Sequence, residues 1–156
     1  MNKILATAIS VLALFVFNAQ AGELKANTPL PDDAHITIPD SNVPPEIAVF
    51  SGIWEGLWEN GKQTTIVVER IELPDTVYFI YSRGEPIHAS NPRNMSGSAA
   101  RWERRMGKIV DGIINSTTQR DRILIKPYDK DHITVNLDGS GGRYSSMQSR
   151  FTRQSP

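Results

Sequence analysis

Cysteine is missing from this chain of 156 residues. That excludes disulfide cross-links, thiolate metal sites, a cysteine nucleophile and a lipid-modified N-terminal cysteine. An excess of either charge is missing as well. The chain has 17 basic and 17 acidic side chains, so no basic footprint points to nucleic acid. Catalytic signatures are equally scarce. No Gly-x-Ser-x-Gly elbow occurs, and His35, His88 and His132 are scattered without a spacing that selects a triad. Asp129-Lys130-Asp131-His132 brings three potential ligands into four residues, but the glycine and late glutamate of a calcium loop do not follow. The glycine-rich run Asp138 to Gly142 feeds a strand, whereas a phosphate loop feeds a helix. Glu55 and Glu59 share a strand face but stand about 13 Å apart, beyond the roughly 5–9.5 Å of glycosidase carboxylates. No catalytic residue, cofactor or metal site is therefore expected.

Long apolar runs are confined to one place. Ile4 to Phe17 is interrupted only by Thr7 and Ser10, and it falls short of the roughly 20 residues that span a bilayer. Lys3 precedes it, and Ala19 and Ala21 follow with small-x-small spacing. This is the pattern of a signal peptide, residues 1–21, cleaved after Ala21. The expected product is periplasmic or secreted and does not span a membrane. Without disulfides, its stability must come from a packed core, which one domain of this length can supply.

Residues 22–45 carry Pro29, Pro31, Pro39, Pro44 and Pro45, a composition that favours an extended, poorly packed linker. Residues 46–156 then form the domain. Its informative opening is Gly52-Ile53-Trp54-Glu55-Gly56-Leu57-Trp58. In a strand, Gly52, Trp54, Gly56 and Trp58 share one face, and glycines beside large indoles mark a bend or a close approach. Asn60-Gly61 and Asp111-Gly112 are hairpin signals. Strand-like runs follow at Gln63–Ile71, Thr76–Arg83, Arg101–Val110, Ile113–Thr118, Arg122–Pro127, His132–Leu137 and Arg143–Arg153. With the first run they make about eight strands joined by short turns, the pattern of an all-β, antiparallel up-and-down barrel. A long polar loop, Gly84 to Ala100, could act as a lid.

The sequence Phe50-x-Gly52-x-Trp54-x-Gly56-x-Trp58, followed by a hairpin and Thr65-Ile66-Val67-Val68-Glu69, resembles the first strand of calycin-like barrels. It is similar to the lipocalin Gly-x-Trp signature and to small exported bacterial barrel domains. The resemblance implies that Gly52, Trp54, Gly56 and Trp58 close the base of the barrel. It also implies an arginine from the last strand over the tryptophan, with Arg150 and Arg153 as the candidates. Tyr78, Tyr81, Trp102 and Arg101 are the candidate ligand-binding residues. Two functions follow as expectations: a non-catalytic barrel holding a small apolar or amphipathic ligand in its mouth, or an envelope interaction protein with a solid core. In the second, Arg101, Arg104 and Arg105 would present the contact surface.

Overall fold

Residues 28–86, 100–139 and 146–155 are described in a computed structural model of the chain. Residues 1–27, which hold the expected signal peptide and the first part of the expected linker, lie outside them, as do His88 and most of the Gly84–Ala100 loop. Eight antiparallel strands run in sequence order around a closed barrel. They are β1 (Gly52–Leu57), β2 (Lys62–Glu72), β3 (Thr76–Pro86), β4 (Arg101–Val110), β5 (Ile113–Thr117), β6 (Asp121–Pro127), β7 (His132–Gly139) and β8 (Met147–Gln154). Closure is made by β1 against β8, with Trp54 opposite Arg153 and Gly56 opposite Phe151. One turn of helix, α1 (Pro45–Ala48), leads into β1.

The turns follow their residues. Asp111 and Gly112 both adopt positive φ, 51° and 72°, as a two-residue type I′ hairpin requires. The β1–β2 connection is one residue longer than its Asn-Gly pair predicts. Glu59, Asn60 and Gly61 form the loop, Gly61 N–H donates to Trp58 O, and Lys62 N–H donates to the Asn60 side chain. Gly61 takes the left-handed conformation, φ 76°, that ends a three-residue hairpin. β3 also runs further than predicted, through Gly84 to Pro86.

Alternation places Thr64, Ile66 and Val68 of β2 inside, with Val77, Phe79 and Tyr81 of β3. A bulge between Val68 and Arg70 then shifts the register. It sends Glu69 and Arg70 both outward and returns Ile71 to the core. The proline-rich stretch is extended, yet it does not hang free as its composition suggests. Thr28 Oγ1 meets Thr65 Oγ1 at 2.5 Å, Ser82 donates to Pro29 O, and Thr37 N–H donates to Glu69 O at 2.8 Å. These bonds tie it to the outer face of β2 and β3, where Thr65, Val67, Ile80 and Ser82 are all buried.

The two ends of the interior differ in chemistry. The β2–β3, β4–β5 and β6–β7 turns lie at the base, and the β1–β2, β3–β4, β5–β6 and β7–β8 connections lie at the mouth. Phe50, Trp54, Phe79, Ile114, Ile125, Ile133 and Phe151 have no exposure at all. A void that admits water would leave accessible surface on its lining, so this part of the barrel is packed solid.

Candidate functional site

The base is held by Trp54 and Arg153. Trp54 Nε1 donates to Phe50 O at 2.8 Å, which satisfies the one polar atom of a fully buried indole. The Arg153 guanidinium lies 4.1 Å from the Trp54 ring centroid. Its nitrogens donate to Ser51 O, Val49 O and Lys130 O, so one side chain joins the approach to β1 to the β6–β7 turn. Burial lowers the pKa of Arg153, against the pull of Asp131. Gly52 has φ 131°, and a Cβ there would stand 2.7 Å from Arg153 Nη1. At Gly56 a Cβ would overlap the Phe151 ring. Gly56→Ala is therefore expected to destabilise the fold by about 1–3 kcal/mol through overpacking, read as a lower urea midpoint.

Arg150 takes no part in this closure. Its guanidinium lies 3.9 Å from the ring of Tyr128, which is exposed on the outer wall. Positions 150 and 153 point to opposite faces of β8, and only 153 shares the face of Phe151. Trp58 is buried too, but it stands four residues further on, just past the end of β1 and about 13 Å nearer the mouth. There it donates to Thr64 Oγ1 at 2.8 Å and meets the Phe151 ring edge-on at 5.6 Å. The two indoles thus serve different levels of the barrel, and only Trp54 seals the base.

The mouth is polar. Alternation turns Lys62, Thr64, Tyr81, Arg83, Arg101, Glu103, Arg105 and Asp121 toward the interior at this end. Arg105 is almost fully buried. It donates from Nε to Glu103 Oε1 at 2.9 Å and from Nη2 to Asp121 Oδ1 at 2.5 Å. Its guanidinium carbon lies 5.3 Å from the Tyr81 ring centroid, and that of Arg83 lies 5.4 Å from the same ring. Burial, then the nearby charges of Arg83 and Arg101, lower the pKa of Lys62. Among the described residues, the inward cations here are Lys62, Arg83, Arg101 and Arg105, and the inward carboxylates are Glu103 and Asp121. Among the described residues, two buried guanidinium nitrogens at this end, Arg83 Nε and Arg105 Nη1, have no hydrogen-bond partner, and the buried Tyr81 hydroxyl has only the Thr64 side chain beside it.

Burial raises the Tyr81 phenol above its ordinary 10.0, while Arg83 and the Thr64 hydroxyl pull it down. Above that pH the unfolded chain releases this proton and the folded chain keeps it, so the folded state loses stability as pH climbs. Urea midpoints measured from pH about 9 to about 11 are expected to fall more steeply for the natural protein than for Tyr81→Phe.

The four candidate ligand-binding residues do not share a face. Tyr81 is inside and Arg101 is exposed at the rim. Tyr78, three residues from Tyr81, points outward under Arg70, 4.4 Å from its guanidinium. Trp102 is also outside and 42% exposed. Tyr78 instead borders an outer cleft of about 640 Å³ with His35, Thr37, Glu69, Arg70 and Met106. Arg104 crosses this cleft, paired with Glu69 at 3.0 Å and with Asp33 at 2.8 Å. Arg101, Arg104 and Arg105 therefore form no common surface. Arg104 is engaged with the proline-rich stretch, and Arg105 faces the interior.

His132 Nδ1 lies 2.8 Å from Asp129 Oδ1 in the β6–β7 turn, on the base side. Among the described residues no group of three or more histidines and acids is arranged to hold a metal ion. No helix among them is long and apolar enough to cross a membrane. Thr64, Glu103 and Asp121 escaped the reading of the sequence, which also placed Arg105 on an outward contact surface and not in the interior. The signal was there, since Tyr81/Arg83 and Arg101/Glu103/Arg105 keep strict two-residue spacing. No protein-family profile matches this chain, and neither curated proteins nor solved structures give a match. The fold and its site define a closed eight-stranded antiparallel barrel with a filled base and a cationic mouth.

Proposed function

We propose that this protein is an exported, non-catalytic, calycin-like barrel whose mouth binds one small amphipathic molecule. The cation-rich mouth above a filled base is the observation that carries this reading. The base residues have no exposure and leave no room for a ligand beneath the mouth. An amphipathic one can set its charged end among the inward arginines and rest its apolar part on Leu137 and Met147, partly buried residues opposite each other near the rim. The arginine of the last strand over Trp54 supports the calycin-like assignment, because that pairing is what the resemblance implies. The Ile4–Phe17 run and the Ala19/Ala21 spacing support export to the periplasm or medium. Anilinonaphthalene sulfonate should bind the purified protein at a single site and be displaced by anionic amphiphiles. Absence of saturable binding across a panel of fatty acids, alkyl phosphates and lysolipids contradicts the reading.

The filled core also favours a second reading, an envelope interaction protein such as an inhibitor or accessory domain of a cell-wall enzyme. Exposed Arg101 and Trp102 would be its contact residues. Retention of one stoichiometric protein from envelope extract, lost in Trp102→Ala, favours this reading when no amphiphile binds.

A further inference from the structure

We infer that the mouth contains a built oxyanion site, in which Arg83 Nε, Arg105 Nη1 and the Tyr81 hydroxyl together bind a carboxylate or phosphate group. This inference rests on the amphiphile reading above and names the chemistry of the ligand's head.

A buried polar atom without a partner is costly and rare. Here two of them belong to guanidinium groups whose carbons lie 5.4 and 5.3 Å from the Tyr81 ring, and the hydroxyl of that ring is buried with them; all are shielded from solvent, so an anion must part the side chains over them to bind. The two guanidinium nitrogens can only donate, and the phenol is held in its protonated, donating form by burial. The complement to three donors is an acceptor group, and the two guanidinium cations that supply two of the donors select a negative one. Arg105 is also fixed in advance. Glu103 and Asp121 occupy Nε and Nη2, so its orientation is set and Nη1 alone remains unsatisfied. Each guanidinium thus offers one free N–H, and an anion with two or more acceptor oxygens, a carboxylate or a phosphate, can take both. The remaining unpartnered buried atom, Asn136 Oδ1, is an acceptor on the outward side of β7 and belongs elsewhere.

The test uses the purified protein with octanoate, octyl phosphate, n-octanol, acetate and inorganic phosphate. Affinity is read by calorimetry, and the Nε–Hε resonances of Arg83 and Arg105 are followed by NMR. The anionic octyl ligands are expected to bind at least about tenfold more tightly than n-octanol, since a hydrogen bond to a charged group is worth that much. The Arg83 Nε–Hε resonance should move as they bind. The ranking of octanoate against octyl phosphate decides between carboxylate and phosphate. Tyr81→Phe removes a hydroxyl that has only Thr64 beside it, so it should change the urea midpoint little while weakening anion binding about tenfold. Arg83→Gln should weaken it comparably.

Equal binding of octanoate and n-octanol overturns the oxyanion site and leaves the amphiphile reading standing. If acetate and inorganic phosphate move the Arg83 resonance and the octyl ligands bind no more tightly than they do, the oxyanion site stands and the amphiphile reading falls. Unchanged affinity in both Tyr81→Phe and Arg83→Gln, or no response to any probe, overturns the site.

Discussion

Trp54→Ala is expected to lower the free energy of unfolding by about 3–5 kcal/mol, a large share of the total for a domain of this size. The side chain has no exposure and sits among Phe50, Phe151 and the β-branched residues of the core. Its removal leaves a cavity where the barrel has least freedom to collapse. Arg153 would also lose the ring it covers and keep only its carbonyl partners at the base. Trp54→Phe separates these effects. It retains most of the apolar area and gives up the bond to Phe50 O and part of the cation–π attraction, at a cost of roughly 1–2 kcal/mol. Urea unfolding monitored by circular dichroism reads both. A loss under about 1 kcal/mol for the alanine variant contradicts a packed base.

The next largest effect is expected at the opposite end. Asp121→Ala should cost about 2–4 kcal/mol, because it leaves the buried Arg105 guanidinium with Glu103 as its remaining acid. Thr118 also loses a bond to the same carboxylate oxygen. Arg105→Met combined with Asp121→Leu removes the buried charges together and should recover much of that stability, as apolar replacements of buried ion pairs often do. The same double variant should lose anion binding. A protein that is well folded but does not bind would show that these charges are retained for recognition.

Much of the wall could be read from the sequence. Two-residue alternation and the Asp111-Gly112 turn are local signals, and local signals survive into the fold. What could not be read depends on counting through irregularities. The bulge at Glu69 changes which residues of β2 face inward, and no residue type announces it. Arg150 and Arg153 look equivalent in composition, but the register of β8 sends only Arg153 to Trp54. Trp54 and Trp58 share a face as predicted, yet the rise of the strand separates their levels. The mouth was missed for a different reason. Arg105 sits in a run of arginines that reads as a solvated face, and its acid partner Asp121 lies on another strand. Tyr78 and Tyr81 were grouped as aromatics although an odd spacing puts them on opposite sides of one sheet. The packing of the proline-rich stretch depends on hydrogen bonds to Thr65, Ser82 and Glu69, which its own composition does not encode.

The location of binding is most directly tested by mapping backbone amide shifts as octyl phosphate is added to the isotopically labelled protein. Changes are expected at Thr64, Tyr81, Arg83, Arg105 and Asp121, with Gly52, Ile125, Ile133 and Arg153 left unmoved. Changes centred on those base residues, or on Tyr78, Arg104 and Met106 of the outer wall, would contradict a binding mouth.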